Sequence, residues 1–150
     1  MAEIGIREYS AKRLLREYFH KHPPQSRAVK LGFQHLKKSV LTDPEMSLHG
    51  IARKHPWLKK ESLVLKPDEL FGKRGKHNLV HLDKKISELE KELKKLQSKT
   101  IEIDGVKGKL KKFLIEPFIA HQEEYYLSFE LTRVGDLIRF SQNGGIDVED

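Results

Sequence analysis

The sequence predicts an α/β (α+β) fold in which antiparallel strands pack against helices. Three observations carry that prediction. Residues 125–132 alternate strictly: Tyr125, Leu127, Phe129 and Leu131 share one side, and Tyr126, Ser128, Glu130 and Thr132 the other. That is the period of a strand with one buried face. Residues 84–98 set Ile86, Leu89, Leu93 and Leu96 on one helical stripe, with Glu and Lys around the rest. Two short apolar runs, Leu63 to Leu65 and Phe113 to Ile115, each end at a charged residue followed by proline. Their length suits buried strands.

From the amino terminus, Ser10 is placed to cap a helix near 10–20. Its apolar stripe is Leu14, Leu15, Tyr18 and Phe19, expected to pack in the core, and Pro23 and Pro24 end it. From 25 to 50 the pattern is weak. Val29, Leu31, Phe33, Leu36 and Val40 allow a helix from Arg27 to Val40, which Asp43 and Pro44 break. A short helix from His49 ends before Pro56, and Trp57 reads as a packing anchor.

Strands near 63–66 and 78–82 flank a loop. Pro67 offers no N–H, so pairing is expected to stop there. The helix near 84–97 follows, its heptad-like spacing too short for a coiled coil. Ile101 to Asp104 reads as a short strand, with Gly105 and Gly108 as turns. A strand near 110–119 carries Glu116 and Pro117. Gly135-Asp136 is expected to turn a strand near 124–132 into one near 136–141.

With 150 residues, the chain is one modest domain or a piece of a larger one. Its 29 Lys+Arg against 22 Asp+Glu give a net charge of +7, which favours nucleotides, nucleic acid or an anionic surface without choosing among them. The lack of cysteine excludes disulfides, a Cys-based zinc site and a thiol nucleophile, and fits a cytoplasmic location. No apolar run approaches the roughly 18 residues of a membrane span, and the amino terminus lacks a signal-peptide pattern. No membrane partner is therefore expected. The eight His show no metal-ligand spacing.

The loop after Lys66 carries the chemistry. Gly72, Lys73, Arg74, Gly75 and Lys76 form its tip. Glycines let backbone approach a ligand closely. Successive N–H groups can then cradle an anion, and Arg grips phosphate oxygens with paired hydrogen bonds. Phosphate is the natural guest. A solvated basic hairpin tip is the other reading of the same residues.

Leu65-Lys66-Pro67-Asp68, then Lys73-Arg74-Gly75-Lys76 and a Leu-Val strand, resembles the ATP-binding segment of ATP-citrate lyases. More loosely it resembles that of succinyl-CoA synthetase β subunits. Both are ATP-grasp enzymes. His55-Pro56-Trp57-Leu58, Phe113 to Phe118, Glu123 to Leu127 and Gly144 to Glu149 are similar to the same family in order and spacing. Glu8 to Leu15 is similar to the opening helix of the synthetase β subunits. The resemblance covers most of 7–150 and is weakest from 23 to 50.

The resemblance implies an incomplete ATP-grasp fold, with about 21–115 as the nucleotide-binding lobe and 1–20 and 116–150 as the start of the second lobe. It implies ATP as ligand. Lys66 would reach the phosphates, and Lys73, Arg74 and Gly75 would lie over them. Glu116 and Ile119 would sit at the hinge beside adenine, and Glu124 would hold the ribose hydroxyls. No residue of the chain matches a catalytic or metal-binding position. Magnesium (Mg) is implied, its ligands expected outside this chain. The implied reaction is ATP-dependent activation of a carboxylic acid, citrate before succinate, for acyl-CoA formation. The chain is expected to be a fragment, a split subunit or a remnant. It would not be competent alone, a second polypeptide completing the enzyme.

Other classes stand beside this one. A small basic nucleic-acid-binding protein fits the charge, but no aromatic platform interleaves with base-facing cations, so nucleic acid is disfavoured as a partner. A non-catalytic remnant would keep the fold without nucleotide. In isolation, Glu116 reads as an ordinary edge carboxylate and Glu124 as a surface member of a Glu pair.

Overall fold

A computed structural model describes residues 5–42, 45–71, 74, 75, 77–103 and 105–144. Helices α1 (Glu8–Lys21) and α2 (Arg27–Leu36) precede a short strand, β1 (Val40–Thr42). Helix α3 (Leu48–Lys54) and a 3-10 turn (Pro56–Lys59) lead to β2 (Leu63–Pro67) and β3 (His81–Lys84). Helix α4 (Ile86–Ser98) is followed by β4 (Thr100–Ile103), β5 (Val106–Lys109) and β6 (Phe113–Pro117). The hairpin β7 (Tyr126–Thr132) and β8 (Gly135–Ser141) ends the described chain. Mixed helices and antiparallel strands are the predicted class.

The main sheet has the order β1-β6-β2-β3, all antiparallel. Strand period places Leu63 and Leu65 of β2, and Phe113 and Ile115 of β6, into one buried core. Leu89, Leu93 and Leu96 of α4 cover it, as do Leu48, Ile51 and Ala52 of α3, and Trp57 packs against it as the expected anchor. Helix α4 starts cleanly because the Glu88 carboxylate accepts the Lys85 backbone N–H at 2.8 Å.

The structure corrects several expectations. Val40 does not extend α2. It opens β1 opposite Ile115, where its side chain joins the core. Strand β2 takes in Pro67 itself, opposite Phe113, and its register with β6 ends at that residue as expected. A missing donor costs little on the last rung of a ladder, and the next residue, Asp68, donates its N–H to the Lys112 carbonyl at 2.8 Å. Pairing with β3 does end earlier, at Leu65 opposite His81.

Gly105, at φ +78°, makes the expected turn, but Gly108 lies in β5 opposite Ile101. A two-stranded ribbon demands little side-chain packing, so glycine is tolerated there. The β7–β8 turn falls at Arg133 and Val134, not at Gly135-Asp136. Thr132 decides this: its hydroxyl donates to the Gly135 carbonyl at 2.6 Å and accepts from the Val134 N–H at 3.3 Å.

Two apolar surfaces expected to be buried are open. Phe129 is 69% and Leu131 83% exposed, because no described element covers that face of the β7–β8 hairpin. Helix α1 likewise buries no residue, and Leu14, Leu15 and Tyr18 are exposed. Phe19 does meet Phe33 of α2, ring centroids 5.7 Å apart. What holds α1 to the sheet is charge.

Candidate functional site

Period two also decides what stands on the other face of the sheet. Leu63, Leu65 and Pro67 of β2 point into the core, so Val64 and Lys66 face away. On β6, Glu116 faces the same way, opposite Val64 and diagonal to Lys66. Glu116 is therefore no edge carboxylate, since β6 lies inside the sheet between β1 and β2.

Helix α1 crosses this face and adds Glu8 and Lys12, one turn apart. The Lys66 ammonium donates to Glu8 Oε1 at 2.6 Å and lies 3.0 Å from Glu116 Oε2. Lys12 Nζ donates to Glu8 Oε1 at 2.7 Å and to Glu116 Oε2 at 2.7 Å. Arg74 closes the cluster, donating from Nη2 to Glu8 Oε2 at 3.1 Å and from Nη1 to the Pro67 carbonyl at 2.7 Å. Three cations thus face two carboxylates, leaving one positive charge in excess.

Burial alone would favour a neutral Glu8. Lys66 and Lys12 beside it outweigh burial and hold its carboxyl down to about 2. For Lys66 burial opposes the charge, and Glu8 and Glu116 overcome it, raising the ammonium above its ordinary value. Both groups are fixed in their charged forms at neutral pH.

The Lys66-Pro67-Asp68-Glu69 segment also anchors the start of α1. Asp68, 1% exposed, accepts the Tyr9 N–H on Oδ1 at 3.1 Å, where the helix dipole favours a carboxylate. Arg7 Nη2 donates to Glu69 Oε2 at 3.1 Å, and Glu69 Oε1 accepts the Lys112 N–H at 3.1 Å. The loop bearing Arg74 folds back on itself. The Arg74 carbonyl accepts the Leu79 N–H at 3.1 Å, and Gly75 accepts that of Asn78 at 3.0 Å. Asn78 adopts φ +53°, a region Asn tolerates. Gly72, Lys73 and Lys76 lie outside the described residues.

Ile119 and Glu124 are joined through His121. His121 donates from Nδ1 to the Ile119 carbonyl at 2.8 Å, and its Nε2 meets Glu124 Oε1. Both partners are acceptors, so the arrangement suits the doubly protonated ring. The Ile119 carbonyl first, and Glu124 second, raise the His121 pKa above its ordinary value. The Gly144 N–H donates to the Glu124 carbonyl at 3.0 Å. A Cβ on Gly144 would fall 2.8 Å from the Tyr125 backbone, so this close approach requires glycine.

The structure therefore brings Lys66, Arg74 and Glu116 together, and separately Ile119 and Glu124. Among the described residues no ion pair links the two groups. Glu8, Lys12 and His121 were given no role from sequence. The Glu8–Lys12 spacing was the available signal, since an acid and a base four apart at a helix start share a face. Among the described residues no group of three His, Asp or Glu side chains is arranged to hold a metal ion. Nor is any described helix long and apolar enough to cross a membrane.

Residues 2–150 match the family model of the ATP-citrate synthase ATP-grasp domain. ATP-citrate synthase alpha chain protein 2 of Arabidopsis thaliana is 40% identical over 150 residues, covering 100% of this chain and 34% of that protein. ATP-citrate synthase of Mus musculus is 34% identical over 152 residues, covering 100% of this chain and 13% of its own length. A solved structure of ATP citrate lyase from Methanothrix soehngenii, in complex with citrate and coenzyme A, superposes with a TM-score of 0.82 at 40% identity. That match covers 96% of this chain and 33% of the other. The chain thus spans about a third of the length of its plant relatives.

Proposed function

The chain belongs to the ATP-citrate synthase ATP-grasp domain family, and on that premise we propose that it binds ATP for an enzyme that activates a carboxylic acid, citrate before succinate, toward acyl-CoA. The observation that carries this reading is the meeting of Lys66 and Arg74 on one carboxylate, Glu8. Two fixed cations with a net positive surplus suit an anion of several charges.

In this proposal Lys66, Lys73, Arg74 and Gly75 hold the phosphates. Glu116 and Ile119 border the adenine, and Glu124 accepts from the ribose hydroxyls. Residues 21–115 form the nucleotide-binding lobe, with 1–20 and 116–150 belonging to the second. The placement of the core supports that division, since each of its buried members lies between Val40 and Ile115. Magnesium, if used, would be held by residues outside this chain, so no step is assigned to a metal here. The Arabidopsis relative is an alpha chain by name, which supports a second polypeptide as partner.

Calorimetry of the purified chain with ATP tests the reading. Saturable binding that Lys66→Ala abolishes is the expected result. Absence of ATP binding, together with RNA or DNA binding that falls steeply with salt, would favour the nucleic-acid alternative.

A further inference from the structure

We propose that Glu8 is a positioning residue of the phosphate site, one carboxylate that sets the spacing between Lys66 and Arg74. This rests on the nucleotide reading above. Glu8 uses both oxygens: Oε1 receives Lys66 at 2.6 Å and Lys12 at 2.7 Å, and Oε2 receives Arg74 at 3.1 Å. The remaining partner of Lys66 is Glu116, and that of Arg74 is the Pro67 carbonyl. Among the described residues Glu8 alone touches both cations.

A helix-docking role does not account for this arrangement. Arg7 on Glu69 and the Tyr9 N–H on Asp68 already tie the start of α1 to the segment after β2. Lys12 ties its next turn to Glu116. These contacts would persist without Glu8. What would be lost is the bridge between two long, like-charged side chains that otherwise repel and sample many rotamers. A site whose cations must be ordered at the moment of binding is weaker than one already ordered. Lys12, on the same helix, holds Glu8 from the side away from Arg74, so the carboxylate is itself oriented. The charged groups facing it are Lys12 from α1, Lys66 from β2, Arg74 from the loop and Glu116 from β6.

The test is calorimetry of the 150-residue chain with inorganic pyrophosphate and with ATP, comparing the unsubstituted protein, Glu8→Gln and Glu8→Asp. Glu8→Gln keeps the shape and should weaken both ligands about tenfold or more, the loss of a charge-assisted contact. Glu8→Asp keeps the charge but shortens the reach, and should weaken both to a lesser degree. The binding pH profile is the readout that a merely structural role would not move. Its alkaline limb, where Lys66 loses its proton, should shift to lower pH in Glu8→Gln. Equal or tighter pyrophosphate binding by Glu8→Gln overturns the proposal, as does a Glu8→Asp protein indistinguishable from the unsubstituted one. No binding of either ligand by the unsubstituted chain overturns the nucleotide reading and this proposal with it. Binding that the Glu8 variants leave unchanged overturns this proposal alone.

Discussion

The Lys66 ammonium lies 2.6 Å from the Glu8 carboxylate, across 58 positions of chain. One residue stands on a strand of the main sheet and the other in the first turn of α1. Their meeting sets a carboxylate from a helix with no buried side chain over the face of the sheet that carries the proposed site.

The first prediction concerns acid. The Glu8 carboxyl is lowered from 4.5 to about 2, burial being outweighed by Lys66 and Lys12. A depressed carboxylate contributes stability that is present above its unfolded value and lost as pH falls through the folded one. The contribution is at most about 3 kcal/mol. Lys66 is raised above 10.5, so its share persists below that value and is lost at higher pH. Urea unfolding across pH should show Glu8→Gln less stable than the unsubstituted chain near neutrality, the gap closing as pH falls from 4.5 toward 2. A gap independent of pH would show that the carboxylate charge is not what stabilises.

Arg74→Ala should weaken ATP binding by about 1.5–3 kcal/mol, the range for hydrogen bonds to charged groups. Arg74 is already held by Glu8 and the Pro67 carbonyl, so the unsubstituted protein loses little entropy in using it. Glu124→Gln should weaken ATP less, because ribose hydroxyls carry no charge. Unchanged affinity in the Arg74 variant would mean that this loop does not hold phosphate.

His121 should titrate above its ordinary 6.5, since the Ile119 carbonyl and then Glu124 favour the protonated ring. The bridge between Ile119 and Glu124 is therefore complete below pH 6.5 and lost as pH rises through the elevated value. NMR titration of the His121 ring checks this. Glu124→Gln should bring its midpoint down, and a midpoint indifferent to that substitution would rule out the ion pair.

Two phenylalanines should behave oppositely. Phe113 is fully buried in β6, and Phe113→Ala should cost about 3–5 kcal/mol. Phe129 is 69% exposed in β7, and Phe129→Ala should stay within about 0.5 kcal/mol. Thermal unfolding of both variants decides it. A large loss at Phe129 would show that the hairpin face is covered in solution.

Much of the secondary structure was legible because it is local. The α4 stripe, the β2 and β6 apolar runs and the alternation of β7 each declare their period within a few residues. The misplaced β7–β8 turn shows the limit. Gly135 was the obvious turn residue, but the Thr132 hydroxyl decided where the chain reversed. Lys66 and Arg74 stood out by residue type, two cations around a glycine-bearing loop. Glu8 and Lys12 did not, because a helix-start acid and base four apart look like any solvated pair.

By itself the sequence determined the strand and helix periods, the cationic loop after Lys66 and the family to which the chain belongs. Tertiary structure alone decided which charges meet: Glu8 reaches Arg74 across 66 positions and Lys12 reaches Glu116 across 104. It alone decided which apolar faces find cover, so that Phe113 is buried and Phe129 is not. The physical reason is the same in both cases. Periodicity is a property of neighbouring residues, whereas burial and ion pairing depend on what distant segments place alongside them.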